Sequence, residues 1–299
     1  MSGCLEEDGE RSGAASPFRL MTLDETTSTN DEVKRALEAG EPEGLAVLAR
    51  RQTGGYGRHG RTWASPEGGM YLSLLLRPCV VPARLPTLSL AVSVAVRRAL
   101  TSLEGLDHPD KVLIKWPNDL VVPLAAPSPQ AGGGCGDRPF DATPRASREG
   151  ARCTLSAPSL RSTYRKLCGI SLEAHAGGIC VGIGVNVQSS SLTREVVGEN
   201  TLISLSERGY TDSIDKVAAA VLQALKSVYA LWCTEGFMPF QKEYESCSFL
   251  SGRFVGMVDQ LGNLMAEGTV SGIDQQGRLV LETSNGAFVP VSSGEAHVR

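Results

Sequence analysis

Alternating and continuous apolar stretches predict short β-strands interrupted by a few amphipathic helices. An apolar residue at every second position, or a short apolar run bounded by glycine and proline, is typical of a strand. This pattern predicts strands at residues 18–24, 44–50, 70–77, 112–116, 165–173 and 178–187. Apolar residues at the helical period predict a helix that begins in the capping box Thr29-x-x-Glu32 and ends at Gly40, and further helices at about 85–104 and 215–236. We expect the strand at 112–116 to pair directly with the strand at 165–173.

The two ends of the chain and one internal stretch have different patterns. Residues 1–17 are small, polar and acidic, which predicts a disordered leader. Residues 123–163 are rich in proline, glycine, alanine and serine, which predicts a low-complexity insertion at a hairpin tip rather than a linker, since both flanks are predicted strands of one sheet. Short strands predicted at 253–258, 264–273, 278–282 and 288–291, with turns between them, indicate a small β-barrel-like domain at 246–299, after a larger domain at 18–245.

Composition narrows the class of protein. The chain has 299 residues with 41% hydrophobic content and a formal net charge of −4, which argues against a dedicated nucleic-acid-binding protein. We find no apolar run near the ~20 residues needed to span a bilayer, and the acidic start is unlike a signal peptide. The eight cysteines include no CxxC pair, and with four scattered histidines they do not predict a zinc site. We expect a cytoplasmic protein with reduced cysteines and no membrane role.

A glycine-rich basic loop is the most informative stretch. Residues 51–63 read Arg-Gln-Thr-Gly-Gly-Tyr-Gly-Arg-His-Gly-Arg-Thr-Trp. Glycines allow a ligand to approach the backbone, and arginines bind carboxylate or phosphate oxygens through paired hydrogen bonds. The Gly55-x-Gly57-x-x-Gly60 spacing matches the dinucleotide fingerprint, but turn residues follow it instead of a helix, so we reject that interpretation. The alternatives are an anion-binding loop and a solvated basic hairpin.

Five motifs follow one another in a set order. They are Ser-Thr-Asn at 28–30, Gln52 with the glycine-rich loop, Lys-Trp-Pro-Asn-Asp at 115–119, Arg-Lys-Leu-Cys-Gly-Ile at 165–170 and Gly-Ile-Gly-Val-Asn at 182–186. In this order they resemble the biotin–protein ligases. The tail resembles the small C-terminal domain of that family through residues 272–279 and Gly-Glu at 294–295. The resemblance covers about 18–122 and 164–299. It implies an α+β fold: a mixed β-sheet catalytic domain packed with helices, of the class II synthetase-like biotin/lipoate ligase type, and an SH3-like β-barrel.

The resemblance also implies a two-step reaction. The carboxylate of biotin attacks the α-phosphate of ATP with Mg²⁺ present, which gives biotinyl-5′-AMP and pyrophosphate. A lysine on the acceptor domain of a carboxylase, such as acetyl-CoA carboxylase, then attacks the acyl carbon and releases AMP. The implied catalytic residues are Arg58, Asp119 and Lys166.

Matching positions imply the remaining site residues. Biotin is expected to contact Ser28, Thr29, Asn30, Gln52, Tyr56, Gly57, Arg58 and Lys166. ATP and the adenylate are expected to contact Arg58, Arg61, Trp63, Asn118 and Asn186, with Asp119 and Asn186 as candidate Mg²⁺ ligands. From the residues alone, other readings stay open: helix capping for 28–30, a turn pair for 118–119, core packing for Trp63 and a strand-end turn for Asn186.

The chain departs from the family pattern at two places. Tyr56 stands where the family loop usually has an arginine, so one cation is missing. The insertion separates Asp119 from Lys166, although a hairpin should keep them close. With no room for a helix-turn-helix before Phe18, we expect no DNA role. The rival functions are a lipoate–protein ligase and an inactive biotin-binding module, the latter disfavoured by Arg58, Asp119 and Lys166. A monomer and a homodimer both remain open.

Overall fold

The computed structural model describes residues 18–124, 163–189 and 202–299. The predicted leader and almost all of the predicted insertion lie outside these residues. Seven strands form the first sheet: β1 (Arg19–Thr26), β2 (Leu45–Gln52), β3 (Gly69–Leu76), β4 (Leu113–Lys115), β5 (Asp119–Pro123), β6 (Tyr164–His175) and β7 (Gly178–Asn186). Their spatial order is β1-β2-β3-β7-β6-β5-β4. The β1–β2 pair is parallel and the other described pairs are antiparallel, so the predicted mixed sheet is confirmed.

The predicted pairing of the strand near 112–116 with the strand near 165–173 is wrong. The short strand β5 lies between them and pairs with β4 on one side and with β6 on the other. Its apolar part is only Leu120, Val121 and Val122, too short a pattern to separate from the insertion that follows. The insertion does leave from a hairpin: Pro123 is opposite Tyr164, and Leu124 N donates to Thr163 O at 3.0 Å.

Helices cover both faces of the first sheet. On one face lies α1 (Thr29–Glu38), whose Val33 and Leu37 pack against Val47, Leu75 and Cys180. On the other face lie α2 (Leu88–Thr101), α3 (Ile214–Glu235) and α4 (Met238–Ser246). Successive side chains of a strand point to opposite faces of the sheet, and helices cover both faces here, so β3 is buried along its whole length. This burial explains its continuous apolar sequence. The pattern of the sequence did not predict α4.

The first helix begins one residue earlier than its capping box predicts. Ser28 has an extended backbone and its hydroxyl accepts a hydrogen bond from Asn30 N, which makes Ser28 the N-cap. Glu32 binds Thr26 Oγ1 at 2.6 Å instead of reaching back to the cap. Thr29 therefore does not cap the helix, and its hydroxyl contacts Gln52 and Ser73 on the sheet.

Helix α3 is the longest helix of the described chain. It has 22 residues and a window of mean hydropathy 1.4, so its length and composition would suffice to cross a membrane, contrary to the expectation from the sequence. In the structure its apolar face is part of the core, with buried residues Val217, Ala218, Val221, Leu225, Val228, Tyr229 and Trp232. This packing against α2 and the sheet is typical of a core helix.

The C-terminal residues form a second, antiparallel sheet. Its strands are β8 (Phe254–Val258), β9 (Leu264–Ile273), β10 (Leu279–Glu282), β11 (Phe288–Val291) and β12 (Glu295–Val298), in the order β11-β10-β9-β8-β12. Within the described chain β11 and β12 do not pair, so the sheet stays open where a closed barrel was predicted. The sequence pattern also missed β12, which has only Ala296 buried in four residues.

Backbone and side-chain contacts join the two sheets. Ile114 on β4 exchanges backbone hydrogen bonds with Cys247 and Phe249, each at 2.8 Å. Trp116 Nε1 donates to Gly277 O at 3.1 Å, and Gly277 has a φ of 78° in the turn between β9 and β10. The turn between β4 and β5 is therefore held by the C-terminal sheet.

Candidate active site

A cavity of about 580 Å³ opens between the first sheet, the glycine-rich loop and the C-terminal sheet. This volume suits a small-molecule ligand. All of the predicted site residues except Ser28 line it: Thr29, Asn30, Gln52, Tyr56, Gly57, Arg58, Arg61, Trp63, Asn118, Asp119, Lys166 and Asn186. The structure therefore brings together residues from five separate sequence motifs.

One end of the cavity is neutral and polar. Gln52 Oε1 accepts from Thr29 N at 2.8 Å, and Ser73 Oγ lies 2.7 Å from both Thr29 Oγ1 and Asn30 Oδ1. These groups are fixed because Thr29, Asn30 and Ser73 are buried. Such a network offers donors and acceptors in fixed directions and no net charge, which suits an uncharged polar ring.

A glycine on β7 makes room for this network. A Cβ on Gly182 would lie 2.4 Å from Asn30 Oδ1 and 2.7 Å from Ser171 Oγ. Any larger residue would push Asn30 out of place. Ser73 and Ser171 were not among the predicted site residues, although a serine within an apolar strand is a recognisable signal.

The glycine-rich loop is a closed hairpin above the cavity. Tyr56 and Thr62 form a β-bridge, Gly57 N donates to Arg61 O at 2.8 Å, and Trp63 N donates to Gly55 O at 2.9 Å. Arg58 extends from the hairpin and donates from Nη1 to Asn118 Oδ1 at 2.8 Å. Burial lowers the pKa of Arg58, while the Asp119 carboxylate acts in the opposite direction.

Arg61 leaves the same hairpin towards the C-terminal sheet. Its Nη1 lies 2.9 Å from Glu295 Oε2, in an ion pair that is largely exposed on the arginine side. Although burial alone would raise the pKa of Glu295, its pairing with Arg61 and the field of Lys115 hold it below the usual value. The hairpin is thus tied both to the β4–β5 turn and to β12.

The other end of the cavity is charged. Lys166 Nζ lies 2.8 Å from Asp119 Oδ1, in a contact whose geometry is that of an ion pair and not of an aligned hydrogen bond. The same ammonium lies 5.0 Å from the ring of Trp63, and Asn186 Nδ2 donates to Lys166 O at 3.2 Å. Arg58 and Lys166 bring two cations to the wall of one cavity, which can hold two anions close together.

Lys115 is a further cation that the sequence analysis left without a role. It lines the cavity but is only 3% exposed, and its ammonium lies 5.3 Å from the ring of Tyr164. Burial lowers its pKa, and Asp119 and Glu295 partly compensate. Its position in the Lys-Trp-Pro-Asn-Asp motif was the signal that could have identified it.

Trp63 lies flat against two glycines that face each other on β6 and β7. A Cβ on Gly184 would lie 2.8 Å from Trp63 Nε1, and a Cβ on Gly169 would lie 3.0 Å from the ring. Trp63 Nε1 is buried and has no hydrogen-bond partner among the described residues. The indole therefore forms a flat apolar wall of the cavity, and its N–H group has no acceptor in the part of the chain that the structure describes. The indoles of the buried Trp116 and Trp232, in contrast, are hydrogen-bonded.

Asp119 and Asn186, which both line the cavity, offer oxygen ligands that suit a magnesium ion. Phosphate oxygens of the nucleotide would complete its coordination. Asn186 uses its amide nitrogen towards Lys166 O, which leaves its oxygen available, and Asp119 supplies a carboxylate. No cluster of three or more histidine, cysteine or acidic side chains suited to a metal occurs in the described ranges. Mg²⁺ commonly binds one or two carboxylates together with substrate phosphates, so a site with few protein ligands suits it.

Comparisons with known proteins agree with this geometry. A model of the biotin/lipoate A/B protein ligase family matches residues 22–189, and one of the biotin protein ligase C-terminal domain matches residues 250–299. The bifunctional ligase/repressor BirA of Escherichia coli is 29% identical over 262 residues, which are 86% of this chain and 67% of the relative. The biotin–[acetyl-CoA-carboxylase] ligase of Mycobacterium tuberculosis is 29% identical over 293 residues, which are 96% of this chain and 92% of the relative.

A solved structure shows the same architecture. The biotin protein ligase from Aquifex aeolicus in complex with biotin and ATP superposes with a TM-score of 0.65 at 26% identity, covering 94% of this chain and 98% of that one. The first family model spans more than half of the chain and the second covers its C-terminal sheet. On this evidence the chain belongs to the biotin/lipoate A/B protein ligase family.

Proposed function

We propose that the protein is an ATP-dependent biotin–protein ligase that forms biotinyl-5′-AMP and transfers biotin to a lysine of a carboxylase carrier domain. The observation that carries the proposal is one cavity with a neutral polar end and a charged end, spanned by a glycine-rich hairpin. The neutral end suits the ureido ring of biotin. The charged end suits a carboxylate beside a triphosphate. The matching relatives are named as ligases of this kind.

The polar end would bind the biotin head group. Thr29, Asn30 and Gln52 line the cavity and are held by Ser73 and by one another. Ser28 does not line the cavity and acts through the cap of α1, so its role is to orient Thr29 and Asn30. Gly57 N is already bonded to Arg61 O, so the backbone N–H of the next residue, Arg58, would receive the biotin carboxylate.

In the first step a carboxylate oxygen of biotin attacks the α-phosphorus of ATP, and the bond from that phosphorus to the pyrophosphate oxygen breaks. Both reactants are anions, and charge builds up on the phosphoryl oxygens in the transition state. Arg58 and Lys166 are placed to offset that repulsion and to stabilise the developing charge. Preorganised donors of this kind are typically worth about 3–4 kcal/mol each.

The nucleotide would occupy the region between the hairpin and the C-terminal sheet. Trp63 offers a flat face for the adenine and Arg61 offers donors to the phosphates, while Asn118 and Asn186 line the same region of the cavity and would contact the ribose or phosphates. Lys115 joins them as a buried cation facing the phosphates. Mg²⁺, held by Asp119 and Asn186, would neutralise part of the triphosphate charge.

In the second step the acceptor lysine amine attacks the acyl carbon, the bond to the AMP oxygen breaks, and the amine loses a proton. The mixed anhydride is already activated, so the protein has to orient the amine and protect the adenylate from water. Asp119 lies beside Lys166 at the charged end and is the carboxylate placed to orient the reacting groups.

The rival functions make different use of the same cavity. A lipoate–protein ligase would need no ureido-binding network, and a biotin-sequestering module would need no paired Arg58 and Lys166. The division into domains at 18–245 and 246–299, cytoplasmic location, the absence of a DNA role and the choice between monomer and homodimer stay predictions.

The test is the mass of an acceptor domain after incubation with the purified protein, biotin, ATP and Mg²⁺. A gain of one biotin on one lysine, lost without ATP, supports the proposal, and lipoate in place of biotin should give no gain. Lipoylation without biotinylation would support the first rival. Absence of both acceptor modification and pyrophosphate release would support the sequestering module.

A further inference from the structure

A polar cluster fixes Tyr56, the residue that stands where the family loop usually has an arginine. Tyr56 OH donates to Asp31 Oδ1 at 2.7 Å and accepts from Lys34 Nζ at 3.0 Å. Lys34 also lies 5.2 Å from the centroid of the Tyr56 ring and pairs with the carboxylate of Glu173. The Tyr56 side chain thus contacts Asp31 and Lys34 of α1, and Lys34 is in turn paired with Glu173 on β6.

The cluster lies behind the ring, outside the cavity. Tyr56 lines the cavity, whereas Asp31, Lys34 and Glu173 do not. The hydroxyl is therefore held by protein groups that a ligand does not need to displace. Burial raises the pKa of Tyr56 to about 12, so the hydroxyl keeps its proton and can donate to Asp31 at neutral pH. Although burial alone would lower the pKa of Lys34, its bonds to Glu173 and Tyr56 raise it, so the cation is maintained.

Fixing Tyr56 fixes the base of the whole hairpin. The bridge between Tyr56 and Thr62 closes the loop, and Arg58 and Arg61 project from the segment between them. A loop that relied on arginine contacts to its ligand would become ordered only when that ligand binds. Here the base is tied to α1 by groups present in the free protein.

We propose that Tyr56 is a positioning residue that holds the glycine-rich hairpin against α1 before ligands bind and so keeps the biotinyl-adenylate in the cavity. The second half of this statement rests on the proposed function, and the first half does not. In this role Tyr56 touches no reacting atom and acts through the position of Arg58 and the hairpin backbone.

The experiment uses the full chain with Tyr56→Phe, Asp31→Ala and the double variant. Tyr229→Phe is the matched control, because Tyr229 OH also donates to a carboxylate, Glu43 at 2.6 Å, but lies away from the cavity. Two rates are measured: trypsin cleavage after Arg58 or Arg61 without ligands, and loss of preformed labelled biotinyl-AMP into excess unlabelled biotin and ATP. Far-UV circular dichroism checks that each variant is folded.

We expect Tyr56→Phe to raise both rates about tenfold, the effect of losing a hydrogen bond to a charged group, and Tyr229→Phe to leave both within about twofold of the wild type. Asp31→Ala removes one of the two hydrogen bonds of the Tyr56 hydroxyl, so it should raise both rates, but by no more than Tyr56→Phe does. The double variant should be no faster than Tyr56→Phe alone, since that substitution already removes the bond to Asp31.

Three results would overturn the proposal: Tyr56→Phe matching Tyr229→Phe, faster adenylate loss without faster cleavage, or additive effects in the double variant. If the wild type forms no adenylate, the proposed function has failed, and the cleavage rates still decide whether Tyr56 holds the hairpin.

Discussion

Lys166 Nζ and Asp119 Oδ1 lie 2.8 Å apart on neighbouring strands, although the long insertion separates them in the sequence. The antiparallel pairing of β5 and β6 accounts for this, because it brings the two strands together wherever the chain between them goes. The two side chains are 27% and 20% exposed and line the cavity, although the paired oxygen Asp119 Oδ1 is itself buried.

Replacing this lysine should slow the chemical step strongly and have a small effect on stability. We expect Lys166→Met to slow pyrophosphate release about 10²–10³-fold, because one stabilising cation is lost. The free energy of unfolding should fall by about 1 kcal/mol, as for other solvent-accessible ion pairs. Lys216→Met removes an exposed ion pair with Asp212 and is the control, with normal activity expected. A rate within threefold of the wild type for Lys166→Met would assign the cation another role.

Replacing Lys115 should weaken ATP binding without lowering the stability of the fold. A buried ammonium is costly to the fold, so Lys115→Met should leave the free energy of unfolding unchanged or raise it by about 1 kcal/mol at neutral pH. The KM for ATP should rise about tenfold if the ammonium binds phosphate. Urea unfolding and steady-state kinetics measure the two effects. A large loss of stability with an unchanged KM would make Lys115 a structural residue.

The pH dependence of this stability difference follows from the lowered pKa of Lys115. Below the lowered pKa the amine is charged in both states, and the folded protein bears the whole cost of burial. As the pH rises through the lowered pKa towards 10.5, the unfolded chain binds more protons than the folded one, so the wild type gains stability. The advantage of Lys115→Met should therefore shrink at alkaline pH. An advantage that grew with pH would contradict the assignment.

A methyl group on Gly184 should weaken nucleotide binding. It would lie 2.8 Å from Trp63 Nε1, so the indole must move. We expect Gly184→Ala to raise the KM for ATP about tenfold, while the KM for biotin changes less. Gly272→Ala is the matched control, since its Cβ would meet only Glu245 Oε1 at an ordinary 3.4 Å. Equal effects on both Michaelis constants would place Trp63 elsewhere in the site.

Trp63 should be the tryptophan that reports ligand binding. The chain has three tryptophans. Trp116 also lines the cavity, but its indole is buried and bonded to Gly277 O, and Trp232, which is buried and bonded to Thr87 Oγ1, does not line it. A change in intrinsic fluorescence on addition of ATP and biotin should be absent in Trp63→Phe and present in Trp232→Phe. A signal that survives in Trp63→Phe would mean that the ligand perturbs another ring.

Local sequence patterns predicted most of the strands and helices and most of the residues that line the cavity. The bounds of β9 were predicted as they are observed, because that strand has turn residues on both sides. The motif residues converge on one cavity, since they lie at strand ends, in turns or on strands facing it. These features depend on neighbours in the sequence, which a single chain displays.

Features that depend on residues far apart in the chain were harder to predict from the sequence. Strand β5 is too short to have a pattern of its own, and the open edge of the C-terminal sheet depends on where β11 and β12 end up in space. Ser28 was predicted to bind biotin, which stays a prediction, and the structure adds that its hydroxyl caps α1. The motif that contains Lys115 drew attention to it, but its burial in the field of Asp119 and Glu295 depends on the folded structure.

The hydrogen bond from Trp116 to Gly277 has a consequence for hybrid enzymes. Trp116 is the neighbour of Lys115, and its indole rests on a backbone carbonyl in the turn from Asp274 to Arg278. A carbonyl is present whatever the side chains are, but its position requires the positive φ of Gly277 and this turn length. The C-terminal sheets of related ligases should therefore be interchangeable when that turn and a carboxylate that pairs with Arg61 are both kept. A hybrid with one residue added to it should lose activity even though every group that touches a substrate is intact.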